Sequence, residues 1–298
     1  MKFKGENIIT FSERFKDDTS CLAYLAEIKW AKGFTCSKCG CTQSSVGKLD
    51  YSRQCHQCHH IESPTANTLF HKVKFGARKA FMIVFEMTAS TKSLSASQMA
   101  KRYGISRTTA WLFMHKVREG MKSSQSAPMT GTIQVDEFVV GGRENLKQGR
   151  SRDTKKKKIV CAVELSENQK IKRVYALRID DYSSESLRTI FDQHISKAAT
   201  IRTDEWQGYK PLAKEYTIVQ VLSMKGSNFK QMHHIIHQIK TWLRTTFSWV
   251  HKDHINRYLD EYSFRINRSI SKQTIFHNLI VRMVTTKPIT YQAIKVSA

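Results

Sequence analysis

The sequence predicts a multidomain α/β protein: a small metal-stapled unit, a helical segment with a helix-turn-helix pattern, and a larger mixed α/β domain. Three observations carry this. Two CxxC pairs, Cys36/Cys39 and Cys55/Cys58, lie fifteen residues apart. Apolar residues recur at helical spacing from Ala77 to Met121. Beyond the polar, Pro-ended stretch from Lys122 to Pro128, β-prone runs mix with helical ones. The expected boundaries are 1–70 for the metal unit with its helical lead-in, 71–128 for the helix-turn-helix, 129–285 for the α/β domain and 286–298 for a tail.

The lead-in from Cys21 to Ala31 has helical spacing and gives way to a Cys, Gly and Ser-rich segment ending near residue 60. Two thiolate knuckles at this spacing close on one tetrahedral Zn²⁺, so Cys36, Cys39, Cys55 and Cys58 are the expected ligands. The segment has too few apolar residues to fold without a metal. Four thiolates leave no open position for catalysis. Cys21, Cys41 and Cys161 therefore read as ordinary thiols, and His56, His59 and His60 as solvated surface.

From Leu94 to Trp111 the sequence places small Ala100 in a first short helix, Gly104 at a turn and Ser106 as the cap of a second helix. Arg107, Thr108 and Thr109 then fall at the N-terminal end of a recognition helix, where base edges are read. The plainer alternative is an αα-hairpin within a helical core.

In the α/β domain, strands are expected at Thr132 to Val140, Lys158 to Leu165, Arg173 to Ile179 and Thr200 to Thr203, with a helix at Ser183 to His194. Helical spacing returns at His234 to Thr246, His254 to Phe264 and Gln273 to Thr285. Asp136 stands within an otherwise apolar and β-branched strand, where an acid is costly unless charged partners meet it. Glu137, its neighbour, points to the opposite face. Asp204 follows the short strand at Thr200, and acids ending neighbouring strands converge on hard cations such as Mg²⁺. Taken alone, Asp136 and Asp204 read slightly better as surface or capping acids.

The 298 residues carry 49 Lys and Arg against 25 Asp and Glu, a net charge of +24, with 40% apolar residues. Such an excess marks a polyanion as partner, nucleic acid foremost. No stretch approaches the roughly 20 apolar residues of a membrane span. The first residues lack the apolar core of a secretory signal, so a cytoplasmic, nucleoid-associated protein is expected. In that reducing setting the seven cysteines suggest metal before disulfide. The basic run from Arg143 to Lys158, with Arg150, Arg152 and Lys155, is a candidate phosphate-contacting segment.

Collectively these features resemble the zinc-ribbon insertion-sequence transposases of the DDE superfamily, related to the Merlin elements. The resemblance rests on the paired CxxC; on Ala110-Trp111 and Met114-His115-Lys116-Val117-Arg118; on Val135-Asp136-Glu137 with Gly141-Gly142; on Asp204-x-Trp206-x-x-Tyr209; on His233 with Gln238-x-Lys240-x-Trp242-Leu243; and on Tyr258 to Arg268. It implies an RNase H-like catalytic domain, double-stranded DNA at element ends and target as partner, a homo-oligomer in the synaptic complex, and two-metal phosphoryl transfer with Mg²⁺ or Mn²⁺. Asp136 and Asp204 match the first two acids. At the third, where Glu or Asn is common, the register of Lys240 and Trp242 places Gln238, an amide that ligates without charge; Lys240 itself is grouped with the DNA contacts. Helical geometry puts Gln238 at the border of a face formed by Ile235, Ile239, Trp242 and Leu243, and Glu261 is the competing third acid. An inactive DNA-binding derivative and a purely hydrolytic nuclease are the rival functions.

Overall fold

The computed structural model describes residues 2–5, 7–89, 92–142 and 155–295, apart from the side chain of Lys225. The chain divides into two compact units, residues 1–121 with 270–298, and residues 122–269.

The first unit opens with α1 (Ile8–Arg14), whose N-cap Asn7 accepts from the Thr10 N–H, and α2 (Asp18–Lys29), which starts on an Asp17/Ser20 capping box. Strands β1 (Ser44–Val46), β2 (Arg53–Cys55) and β3 (Ile61–Glu62) form a small antiparallel sheet. Buried Glu62 holds this sheet to α2 through Lys29, 2.7 Å away. Three helices follow: α3 (Ala77–Ala89), α4 (Ala96–Tyr103) and α5 (Arg107–Met121).

The second unit is built on one five-stranded sheet. Its strands are β4 (Thr132–Val140), β5 (Lys157–Leu165), β6 (Ile171–Ile179), β7 (Thr200–Thr203) and β8 (Thr217–Gln220), with α6 (Ser184–His194) between β6 and β7. The order is β6-β5-β4-β7-β8: β4, β5 and β6 are an antiparallel meander, while β4–β7 and β7–β8 are parallel. This mixed topology agrees with the α/β class read from the sequence.

Alternation along the strands sorts the two faces. Ile133 and Val135 of β4, with Val160 and Ala162 of β5, pack with α6 and the 3₁₀ segment Gln207–Lys214 through Leu187, Ile190, Phe191 and Tyr209. Phe138, Ile159, Cys161 and Val163 face the other way, toward α7 (Lys230–Thr246) and α8 (Ile255–Ile266). Strand β5 is thus buried on both faces, which is why it reads as a continuous apolar run.

Two polar anchors fix those helices. The Gln134 Oε1, on the α7 face, accepts the Met232 N–H at 3.2 Å and so pins the first turn of α7 over β4. On the edge strand β6, Asn267 exchanges two hydrogen bonds with Val174, and Asn256 accepts the Arg178 N–H at 2.7 Å. Edge groups that would otherwise be open are thereby satisfied by α8.

The chain then returns to the first unit through α9 (Lys272–Thr285) and the short α10 (Tyr291–Ile294). Phe276 of α9 meets Phe3, Phe11 and Phe81 edge-on, at centroid distances of 5.7, 5.0 and 5.6 Å. The boundaries therefore differ from those read in the sequence. Residues 270–285 leave the α/β domain, and segments 1–70 and 71–121 join in a single unit. Helical spacing shows that a face is buried, not against what; the phenylalanines of α1 and α3 decide that for α9.

Candidate functional site

The metal ribbon is assembled locally. The four sulfurs of Cys36, Cys39, Cys55 and Cys58 lie within 4.8 Å of one another, with Cys36–Cys58 at 3.6 Å and Cys39–Cys55 at 3.5 Å. A tetrahedron with Zn–S bonds of about 2.3 Å has edges of about 3.8 Å, so the cage fits zinc as it stands. Each knuckle closes at a residue with positive φ, Gly40 at 77° and His59 at 56°. Their N–H groups donate to the Cys36 and Cys55 carbonyls at 2.9 and 3.1 Å. The N–H of Cys58, ahead of other backbone donors, lowers the Cys55 thiol pKa, while that of its neighbour Cys39 shifts the opposite way. Among the described residues the apolar cover of the cage is Trp30 and Phe34. The metal takes the place of a core.

The acid site is assembled by strand register. Parallel pairing sets Gln134 opposite Arg202, which carries Asp136 and Asp204, two residues further along each chain, to the same level, Asp136 midway along β4 and Asp204 just past the end of β7. Asp136 shares the α7 face with Gln134 and Phe138. Asp204 shares it with Arg202, whose guanidinium lies 5.9 Å from the Phe229 ring. Adjacent strands are about 4.8 Å apart, so the two carboxylates flank one space. The first turn of α7, already pinned by Gln134, adds His233, with its Nε2 3.8 Å from the Asp136 Oδ2. The Asp136 side chain is 22% exposed and that of His233 49%, leaving the site open to a large substrate.

Local bonds orient the acids. Asp136 Oδ1 accepts its neighbour's N–H at 2.7 Å, and Asp204 Oδ1 accepts the Trp206 N–H at 3.0 Å. The Trp206 indole donates to the Tyr182 carbonyl at 3.0 Å, while Gln220 donates to the carbonyls of Asp204 and Trp206. A Cβ at Gly208 would sit 2.5 Å from the Trp206 Nε1 and 2.8 Å from the Tyr182 oxygen, so this close approach admits only glycine. Glu137 lies on the opposite face with fully buried Tyr209, whose phenol is pushed well above its ordinary value first by burial and then by the Glu137 charge.

Lys240 reaches the same side of α7 as His233. Burial lowers its ammonium pKa while the Asp136 charge raises it, and its Nζ stands 5.4 Å from the Phe138 ring. Gln238 does not join them. Its Oε1 accepts the Tyr262 hydroxyl at 2.8 Å, and its amide nitrogen meets His234 Nε2 at 2.7 Å. At about 100° per residue, Gln238 is turned about 140° from His233 around the helix. It does border the apolar face, but on the side toward α8. Glu261 is fully buried in α8 with Arg265 Nη1 3.6 Å away. The sequence presents His233 only as part of the family signature and not beside Asp136, because its position depends on which border of α7 meets β4, and the Gln134 anchor settles that.

The donor set suits a hard divalent cation: carboxylate oxygens at an open strand end. Among the described residues the four thiolates form the only group of three or more Cys, His, Asp or Glu ligand atoms within 4.8 Å of one another.

In the first unit, Ser95 and Gln98 form the capping box that starts α4, and Gly104 ends it at φ 59°. Ser106 caps α5 by accepting the Thr109 N–H at 3.1 Å. Arg107 and Thr108 are exposed in the first turn of α5, and Thr109 is half-buried. The pair is locked by buried Met99, Ala100, Ala110 and Phe113 and tied to α3 through Arg102 and Tyr103 on Glu86. Lys155 is exposed just before β5, whereas Arg150 and Arg152 lie outside the described residues. No helix among the described residues is long and apolar enough to cross a membrane.

A zinc ribbon together with a transposase-type mixed α/β domain defines a DNA-processing protein of the transposase class. Residues 16–61 match the transposase zinc-ribbon domain, and residues 128–267 match the ISXO2-like transposase domain. The chain belongs to the zinc-ribbon insertion-sequence transposases. A comparison with curated proteins finds no match.

Proposed function

We propose that this chain mobilises an insertion sequence, binding the terminal inverted repeats of its element as double-stranded DNA and catalysing strand cleavage and strand transfer. The observation that carries this reading is the register of β4 and β7, which sets Asp136 and Asp204 at the same level on neighbouring strands, where β7 ends. Arg107, Thr108 and Thr109 read base edges, where one good bidentate contact contributes about 1–3 kcal/mol of discrimination. The basic run before β5, including Arg150, Arg152 and Lys155, contacts phosphates, and affinity falls steeply with salt through counterion release. Pairing two element ends calls for a homo-oligomer, and the substrate places the protein at the nucleoid.

Mg²⁺ or Mn²⁺, when bound, activates the nucleophile and neutralises the leaving oxygen. Asp136 and Asp204 present oxygens to that position. His233 supplies the third donor next to Asp136, and Lys240 holds a phosphate oxygen on the same side of α7. Gln238 is a clamp between α7 and α8. In the first reaction a water oxygen attacks the phosphorus, the bond to the 3′ oxygen breaks and a 3′-hydroxyl is released. In the second, the oxygen of that hydroxyl attacks the phosphorus of a target phosphodiester, the target's bond from phosphorus to its 3′ oxygen breaks, and that 3′ oxygen leaves with the proton the attacking hydroxyl gives up. No side chain forms a covalent intermediate.

The test is a strand-transfer assay on DNA carrying the element ends. Asp136→Asn and Asp204→Asn each lower cleavage and joining by about 10³-fold or more while end binding changes less than about twofold, as expected for groups acting on the transition state. Cleavage without joining by the wild type would make the protein a hydrolytic nuclease. Binding without either would make it a DNA-binding derivative.

A further inference from the structure

The loop joining α7 to α8 presents one large side chain that the chemistry above does not use. Trp249 is 71% exposed, yet the loop is anchored on both sides of it. Phe247 packs edge-on against Trp242 and Tyr258, at centroid distances of 5.3 and 4.5 Å, and Val250 is buried. The indole thus projects outward from a loop whose residues on either side are packed down.

Its surroundings are cationic and aromatic. Lys157 Nζ lies 6.0 Å from the Trp249 ring centroid, and the His251 ring is 5.2 Å away at 64°. Lys157 opens β5 opposite Val140, so this cluster stands at the end of the sheet toward which β4 runs beyond Asp136. Exposed Lys252 and the half-buried Lys156 add to the charge. The nearby acid Asp253 is engaged by His251 at 3.2 Å and faces Arg178 at 3.9 Å.

An indole face bordered by ammonium groups is what a nucleobase on a phosphodiester backbone recognises: the ring stacks and the cations meet the phosphates. Inside a duplex both faces of a base are covered, and at a blunt end only the outer face of the last pair is open, so an unpaired base, free to turn onto the ring, fits the indole best. We propose that Trp249, flanked by Lys157 and His251, is a stacking platform for an unpaired base of the DNA that this chain processes. The inference rests on the reading of the protein as a DNA-processing transposase, but not on its metal chemistry. Its consequence is a preference for duplex ends with a short single-stranded extension over blunt ends of the same sequence.

The experiment measures affinity of the full chain, with no Mg²⁺ or Mn²⁺ added, for a blunt duplex and for the same duplex carrying a four-nucleotide overhang. The wild type is expected to bind the overhang about tenfold more tightly, a typical gain for one base on an aromatic ring. Trp249→Ala removes that preference and leaves blunt-duplex affinity unchanged. Trp249→Phe keeps most of it, and Trp249→Leu loses it although the side chain stays apolar. Equal affinity of the wild type for both duplexes, or full preference in Trp249→Ala or Trp249→Leu, overturns the platform. Equal weakening of both duplexes by Trp249→Ala also overturns it, because that is a general contact. The metal chemistry is judged separately, by cleavage in the Asp136 and Asp204 variants, so either idea can fail while the other stands.

Discussion

In the zinc ribbon all four donors come from one short stretch, Cys36 to Cys58, and two tight knuckles bring them together before any distant part of the chain is involved. The acid site is the reverse. Asp136, Asp204 and His233 come from a central strand, a neighbouring parallel strand and a helix, and they meet only because a whole sheet has formed. One site builds its surroundings; the other is built by them. The ribbon, with little apolar cover of its own, depends on its metal for structure. The acids depend on the fold.

The largest effect is expected from breaking the ribbon. Cys55→Ser should reduce zinc content from one per chain to none, because three thiolates and a hydroxyl do not hold a structural tetrahedron. Structural zinc is worth on the order of 10–16 kcal/mol in small zinc peptides, so residues 34–62 lose their ordered fold while the sheet of the second unit persists. Metal analysis together with hydrogen exchange across both units checks this. Retained zinc, or equal loss of protection in both units, would show that the two sites are not independent in the way described.

That contrast also explains what the sequence revealed. The ligand spacing around Cys36 and Cys55, the Gly104 turn and the Ser106 cap are local, and each is met in the structure as read. Strands β4 to β7 were legible because their alternation or continuous apolar character reflects burial on one or both faces. Membership of α9 in the first unit was not, since its apolar stripe carries no label for its partner. Gln238 and His233 show the same limit at the scale of one helix. Both flank the buried stripe of α7, and the choice between its two borders is made by Gln134, nearly a hundred residues upstream.

A smaller change tests that choice. His233→Ala should reduce strand cleavage by about 10²-fold, as expected for a lost donor at the reacting centre, with little change in end binding. Gln238→Ala should leave the rate within a few-fold and cost about 1 kcal/mol of stability, the worth of its bond from Tyr262. Rate measurements paired with denaturant midpoints distinguish the two. The opposite assignment of effects would restore Gln238 to the acid site.

Milder still is a dependence of the sheet on pH. His194 is buried with its ring stacked on Tyr175 at 4.0 Å, and burial holds its pKa down to about 4, below its ordinary 6.5. The folded form therefore refuses a proton that the unfolded chain accepts. Stability is complete above about pH 6.5 and declines as pH falls toward 4, by up to about 3 kcal/mol. His194→Phe keeps a ring there and should flatten that part of the stability profile. An unchanged slope between pH 6.5 and 4 would remove His194 as its cause.

In the proposed reaction, the register of β4 and β7 makes Asp136 a ligand for the ion that drives strand cleavage. Replacing its carboxylate by a thiolate tests this directly, because Mg²⁺ prefers hard oxygen donors and Mn²⁺ accepts a softer one more readily. With Asp136→Cys and zinc-loaded protein, cleavage of an element end is expected to fall by about 10³-fold or more in Mg²⁺ and to recover substantially in Mn²⁺, while the wild type works in both. Undiminished cleavage by the variant in Mg²⁺, or the same loss in either metal, would contradict the assignment.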